Sequence, residues 1–212
     1  MSFFTVNIIA ELLCFLTALF ALWRKGMWRM QILYMFLVCA TEILGRYLLK
    51  GMGETDNSWL YNIYLLIEAF FIVFMFYHLL QGKIKYLNLY LGIFTGIFAL
   101  SYGYDFLFHG FMIFNTNCNT IVSSCYCIMG MYYFYWLMNR GEYTDILGFA
   151  PFWWVGGVIL YYFGSTVLNI FQDALIHAKD HTIRRYMIQF INVVLYGSWS
   201  YSFILKRWST KN

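Results

Sequence analysis

The stretch from Trp59 to Leu80, WLYNIYLLIEAFFIVFMFYHLL, constrains this chain more than any other. About 20 apolar residues at roughly 1.5 Å rise per residue match the ~30 Å hydrocarbon core of a bilayer. The stretch holds one acidic residue, Glu68. A carboxylate in a membrane segment costs roughly 2.5–3.5 kcal/mol on insertion scales, so by default it marks a functional site. The stretch therefore predicts a membrane-spanning helix whose carboxylate faces the protein interior.

The composition extends this prediction to the whole chain. Of the 212 residues, 62% are hydrophobic and 11% are charged, whereas soluble domains are about 45–50% apolar and 25% charged. Lipid must cover the excess, and backbone polar groups in lipid must be satisfied within helices or closed barrels. The runs are too long, and alternate too little, for barrel strands. We therefore predict an all-α integral membrane protein, a single domain over 1–212 with seven transmembrane helices, at about 3–23, 30–49, 59–81, 86–104, 117–138, 147–171 and 184–205.

The basic residues predict the orientation of the bundle. Nine Lys and Arg flank one set of helix ends and five flank the other. The positive-inside rule then places the amino terminus outside and the carboxyl terminus in the cytoplasm. We expect a multi-pass protein of the inner (cytoplasmic) membrane. The net charge of +4 does not indicate nucleic acid, because the basic residues sit at helix ends and not in one patch.

Polar side chains recur at helical spacing and fall in the outer half or near the middle of the predicted bilayer. Polar groups at that depth must face the bundle interior or a wet cavity. We therefore predict an outward-facing ligand pocket, sealed below by apolar residues. Its predicted residues are Glu11, Glu42, Arg46, Tyr61, Tyr64, Glu68, Asn117, Ser124, Ser165, Asn169, Gln189 and Asn192.

This pattern leaves alternatives open. The carboxylates could form a proton-linked or cation-binding site, or a hydrogen-bonded core that only fixes helix register. Glu42 and Arg46 have the i, i+4 spacing of a helical ion pair, but Arg46 could instead present its planar donors to an anionic ligand.

Two further segments carry structural predictions. Gly92 and Gly96 form a G-x-x-x-G pattern, which permits close helix approach inside the bundle or in a dimer. The segment from Asp105 to Thr116 is apolar but too short to span, so we expect a re-entrant or interfacial lid on the outer side.

Asp173, His177 and His181 are weak candidates for a metal site. Their i, i+4, i+8 spacing can place zinc ligands on one helical face. Seven-helix hydrolases resembling ceramidases and adiponectin-type receptors use such a histidine pair, with a third His and an Asp or Ser on earlier helices. Here His78 sits toward the opposite membrane face and His109 in a loop, so the pattern is incomplete. We expect no metal and no cofactor.

Two stretches carry a family resemblance: WLYNIYLLIEAFF (59–71) and PFWWVGGVILYYFGS (151–165). They resemble stand-alone bacterial seven-helix membrane proteins, which are similar to seven-helix input regions of sensor histidine kinases. The resemblance implies a sensory role in which a separate protein supplies the signalling output.

The sequence thus favours a ligand-binding or sensory membrane protein with no catalytic residues. A small-solute or proton-coupled transporter is the alternative, and a zinc-dependent intramembrane hydrolase is a third hypothesis. The expected partners are the lipid bilayer, a small-molecule ligand and a cytoplasmic or membrane signalling protein, with no nucleic acid.

Overall fold

A computed structural model describes residues 5–52, 56–141, 145–171 and 181–209, without the side chains of 181–184. These parts of the chain contain seven α-helices and no β-strand, which confirms the helical prediction. A short 3₁₀ helix, Gly26–Arg29, precedes the second α-helix. The α-helices are α1 (Val6–Leu22), α2 (Met30–Gly51), α3 (Ser58–Leu80), α4 (Leu87–His109), α5 (Thr116–Asn139), α6 (Ala150–Ile170) and α7 (His181–Trp208).

Six of these helices, α2 to α7, are long and apolar enough to cross a membrane, whereas α1 has 17 residues and is shorter. Large apolar side chains point away from the protein, such as Leu107 at 78% and Met138 at 82% exposure. Such exposure is unfavourable in water and natural against lipid. The architecture is that of a multi-pass membrane protein.

The helix α4 is longer than the sequence predicted. It continues through Asp105 and ends at His109, so the predicted lid from Asp105 to Thr116 is wrong in its first five residues. Gly110 ends the helix with a φ of 78°, a left-handed conformation that favours glycine. The Gly110 amide donates to the Phe106 carbonyl at 3.1 Å, and residues 110–115 connect α4 to α5.

The helix α3 is the central wall of the bundle. Half of its most apolar window is buried, against 17% of that of α4. It packs against α2, α4 and α5, while α7 packs between α1 and α6. The stretch that dominated the sequence is therefore also the most enclosed of the candidate spans.

The glycines of α4 do not pack inside the bundle. A Cβ atom built on Gly92 or Gly96 would meet nothing within 4 Å in the described chain, so that part of the prediction is wrong. Close approach occurs between α5 and α6 instead, where a Cβ on Gly130 would lie 2.5 Å from the Ile159 Cγ1 atom.

A layer of aromatic side chains fills the middle of the bundle. The Tyr34 and Phe71 rings stack with centroids 3.8 Å apart, and Trp154 and Trp199 stack at 5.6 Å. All four rings are buried. Large rings packed in this way leave little free volume, so they separate the two ends of the bundle.

Basic side chains anchor the end of the bundle opposite the start of α1. Lys83 Nζ donates to the Leu79 carbonyl at the end of α3 and lies 4.2 Å from the Trp136 ring centroid. Partial burial and the nearby Arg140 guanidinium lower the pKa of Lys83. Arg207 donates to the Phe20 carbonyl at 2.8 Å. Cations here satisfy the last carbonyls of helices and complement their dipoles.

Candidate ligand cavity

A polar cavity of about 240 Å³ lies at the end of the bundle where α1 begins. Helices α1, α2, α3, α5, α6 and α7 and the loop 110–115 all contribute to its wall. Its polar lining residues are Asn7, Glu11, Thr41, Glu42, Tyr61, Tyr64, Glu68, Asn119, Tyr161, Tyr162, Ser165, Asn192 and Tyr196. The carboxylates of Glu11, Glu42 and Glu68, on α1, α2 and α3, thus share one cavity.

Seven of the twelve residues predicted for the pocket line this cavity. They are Glu11, Glu42, Tyr61, Tyr64, Glu68, Ser165 and Asn192. Arg46 stands behind the wall, bonded to Glu42. Their role in ligand binding stays a prediction.

Four predicted residues lie outside the lining. Asn117 donates to the Asp105 carboxylate at 3.0 Å. Ser124 bonds the Thr120 carbonyl of its own helix at 2.9 Å, and Asn169 donates to the Thr120 hydroxyl at 3.3 Å. Gln189 is half-buried and does not contact the cavity.

Glu42 and Arg46 form the ion pair that their spacing predicts. Arg46 Nη2 and Nε lie 3.1 Å and 3.2 Å from Glu42 Oε1. Nη2 also donates to the Thr5 hydroxyl at 3.0 Å, and the Tyr61 hydroxyl donates to Glu42 Oε2 at 2.9 Å. Both oxygens of this carboxylate therefore have protein partners.

Glu68 is held differently, by a hydroxyl and not by a cation. The Tyr162 hydroxyl, on α6, donates to Glu68 Oε1 at 2.7 Å, a usual distance for an O–H···O hydrogen bond. One turn earlier on α3, the Tyr64 hydroxyl lies 2.8 Å from the Tyr34 hydroxyl of α2. These two bonds fasten α3 to its neighbours and form the lower part of the cavity wall.

Glu11 and Asn7 present acceptors that have no protein partner. Glu11 is 5% exposed, and its Oε2 atom forms no hydrogen bond with any described residue. The Oδ1 atom of Asn7, one turn earlier on α1, is also buried and unbonded within that part of the chain. Tyr196 provides a side-chain hydrogen bond to the Glu11 carboxyl group. Buried polar atoms without partners are rare and need an explanation.

Asn62 ties the loop 110–115 over the cavity. Its side chain is fully buried, and Nδ2 donates to the carbonyls of Phe111 and Ile113, each at 2.8 Å. Its Oδ1 accepts from the Asn115 amide at 3.0 Å. The loop contributes Phe114 to the cavity wall. Helix α3 therefore provides lining residues of its own and also holds this loop in place.

Asp105 caps the adjoining helix from outside. Its Oδ2 accepts from the Cys118 amide in the first turn of α5 at 2.8 Å. First-turn amides lack partners within their helix, and a carboxylate there is also stabilised by the helix dipole. This contact explains how a fully buried carboxylate is satisfied without a lysine or arginine.

Sequence reasoning missed Asn62, Asp105 and Tyr162 as organising residues. An amide inside an apolar run was a usable signal for Asn62, because a buried amide requires partners. Asp105 was missed because the fourth helix was predicted to end at about residue 104, just before it. Tyr162 gave no signal, because its partner Glu68 lies 94 residues away.

The predicted metal site finds no support in the described part of the chain. Among the described residues, no three His, Cys, Asp or Glu side chains are placed to hold a metal ion. Asp173, His177 and the His181 side chain lie outside the described part of the chain.

Comparison with protein-family models, curated proteins and solved structures finds no match for this chain. The cavity therefore has to be interpreted from its own chemistry.

Proposed function

We propose that this chain is a seven-helix ligand-binding membrane protein with a sensory role. The observation that carries the proposal is the grouping of Glu11, Glu42 and Glu68 around one cavity inside an otherwise apolar helical bundle. Charged groups at membrane depth are costly and are found mainly where they face a cavity or serve a function.

The unbonded acceptors favour binding over a purely structural polar core. A core that only fixes helix register gains from mutual hydrogen bonds, and a half-satisfied network is worse than apolar packing. Glu42 and Arg46 fit that structural role, because they are paired. Glu11 does not, since its Oε2 has no partner in the described chain.

The aromatic layer favours sensing over transport. Below the cavity, Tyr34, Phe71 and Trp199 are buried and in ring contact, so in the described part of the chain these rings stand between the cavity and the basic end. A ligand bound above this layer would act by stabilising one arrangement of helices over another.

The proposal includes an orientation. We place the cavity outside and the basic end in the cytoplasm of the inner membrane, by the positive-inside rule. Signalling then requires a cytoplasmic or membrane partner that contacts the basic end.

The test compares the native cavity with a cavity that a large side chain fills. Ser165→Trp places a large ring in the cavity, whereas Ser101→Trp adds the same ring on α4, away from it. The purified proteins are dialysed against pooled soluble metabolites in maltoside detergent, and the retained compounds are identified by mass spectrometry. We expect a compound that the wild type and Ser101→Trp retain and Ser165→Trp does not.

Two results would count against the proposal. Equal retention by all three proteins would remove the cavity as a binding site. Accumulation of the retained compound inside sealed vesicles containing the wild type would replace sensing by transport.

A further inference from the structure

The charges around the cavity do not balance among the described residues. Three carboxylates face it, and the Arg46 guanidinium acts electrostatically on one of them, Glu11. The hydrogen bonds of Arg46 to described residues go to Glu42 and Thr5. Glu11 and Glu68 therefore lack a directly bonded cation in that part of the chain, which leaves room for a cationic partner.

The unpaired atoms also specify the polarity of their missing partner. Asn7 Oδ1 can only accept a hydrogen bond, and Glu11 Oε2 accepts one when the carboxyl group is ionised. Both lie on one face of α1, four residues apart, and both residues line the cavity. Their complement is a group that donates hydrogen bonds or carries positive charge.

Tyrosine side chains also line the cavity. The hydroxyls of Tyr61, Tyr64 and Tyr162 are engaged with Glu42, Tyr34 and Glu68. This fixes the rings and occupies their polar tips. A fixed tyrosine ring attracts a cation over its face, a contact worth about 2 kcal/mol or more when desolvated.

Tyr161 is the central ring of this group. It lines the cavity and lies within electrostatic range of all three carboxylates, Glu11, Glu42 and Glu68. Its ring centroid is 4.9 Å from that of Tyr162, at a near-perpendicular 84°. It is therefore the ring best placed to contact a cation shared by the carboxylates.

The size of the cavity suits a polyatomic cation better than a bare metal ion. The cavity of about 240 Å³ equals roughly eight water volumes. The described side chains also offer no set of three acidic, His or Cys ligands close enough to hold a metal. Polyatomic cations meet both conditions.

We infer that the cavity binds a small organic ammonium ion, held by Glu11 and Glu68 and packed against Tyr161. This inference rests on the proposed ligand-binding function and names its chemical class. The ammonium can belong to a free amine or to the headgroup of a lipid such as phosphatidylethanolamine, because the two share the same charged group.

The experiment measures binding of defined probes to the full chain in maltoside detergent, which carries no ammonium group. The probes are ethanolamine, choline, tetramethylammonium, the uncharged carbon isostere of choline, and acetate. We expect at least one ammonium probe to raise the thermal unfolding midpoint and to bind by calorimetry. The isostere and acetate should bind at least about tenfold more weakly.

Variants distinguish the contribution of the Glu68 charge to binding from that of the Tyr161 ring. Glu68→Gln keeps an acceptor for the Tyr162 hydroxyl while removing the charge, and it should weaken the ammonium probe about tenfold or more. Tyr161→Leu should weaken it similarly, whereas Tyr161→Phe keeps the ring and should bind like the wild type. The pair of variants therefore separates loss of the aromatic ring from loss of the hydroxyl.

A lipid probe identifies the source of the ammonium group. Binding of lysophosphatidylethanolamine without ethanolamine would assign a headgroup, and the reverse would assign a free amine. Either result supports the inference.

The outcomes distinguish the two levels of proposal. If the isostere or acetate binds as well as every ammonium probe, or if no ammonium probe binds, the organic-cation inference is wrong. The broader proposal of ligand binding is then tested separately, by comparing the compounds that the wild type and Ser165→Trp retain on dialysis.

Discussion

At the scale of single residues, the cavity depends on how each carboxylate is paired. Glu42 has an arginine and a tyrosine, Glu68 has a tyrosine, and Glu11 has an oxygen with no partner in the described chain. Since all three line a cavity in an otherwise apolar bundle, each arrangement has a different energetic consequence. Glu42 is built into the wall, whereas Glu11 and Glu68 keep capacity for a ligand.

The bond from Tyr162 to Glu68 can be tested by removing one oxygen atom. Tyr162→Phe leaves the buried carboxylate without its donor, so we expect a loss of about 1–2 kcal/mol in the free energy of unfolding. Equilibrium unfolding in sodium dodecyl sulfate mixed micelles measures this loss.

The matched control is Tyr161→Phe, at the adjacent position. No hydrogen bond of the Tyr161 hydroxyl is seen among the described residues, so this variant should change the unfolding free energy by less than about 0.5 kcal/mol. Equal losses in the two variants would show that the Tyr162 bond does not stabilise α3 against α6.

At the scale of helices, glycine position separates packed faces from lipid-facing ones. A methyl group on Gly130 would lie 2.5 Å from Ile159 Cγ1 and 2.9 Å from Ile159 Cδ1. A methyl group on Gly92 would meet nothing within 4 Å in the described chain. The first position therefore needs glycine for the contact between α5 and α6, and the second does not.

This contrast predicts opposite results for one substitution. Gly130→Ala should destabilise the protein by about 1–3 kcal/mol, because it overpacks a close helix contact. Gly92→Ala should be neutral or stabilising by up to about 1 kcal/mol, because alanine favours the helix. The same unfolding assay compares them, and a larger loss for Gly92→Ala would place the close packing on α4.

The clamp by Asn62 predicts a local effect in the loop 110–115. Asn62→Leu keeps a similar size but removes the hydrogen bonds to Phe111, Ile113 and Asn115. We expect faster amide hydrogen exchange in a peptide covering 110–115, with little change in α6. Unchanged exchange in that peptide would mean that other contacts hold the loop.

At the scale of the molecule, the basic end predicts the orientation in the membrane. Green fluorescent protein fused at the carboxyl terminus should fluoresce, and alkaline phosphatase fused there should be inactive, since it needs the oxidising periplasm for its disulfides. Alkaline phosphatase inserted after Met112 should be active. The opposite pattern at both sites would invert the proposed topology and place the cavity in the cytoplasm.

The sequence predicted the helices better than their contacts. Helix existence follows from length and apolarity, which are local properties. The end of α4 was misplaced because Asp105 reads as a helix-ending charge, although the first turn of α5 satisfies it.

Spacing along one helix also shows which residues share a face, but not which neighbour that face meets. Glu11, Glu42 and Glu68 line one cavity, and their role in ligand binding stays a prediction. Asn117 and Ser124 do not line it, since each bonds close to its own position in the chain.

The hydrogen bonds around Asn62 and Asp105 have a consequence for α4. Its faces are largely exposed, yet the loop after it is tied to α3 and its last turns are tied to α5. The exposed positions of such a helix tolerate variation far better than its attachment points, which include the buried Phe94 in ring contact with Tyr126. In a library of random substitutions, functional variants should therefore accumulate at the exposed positions between Gly92 and Leu100 and be depleted at Phe94, Asp105 and Asn62.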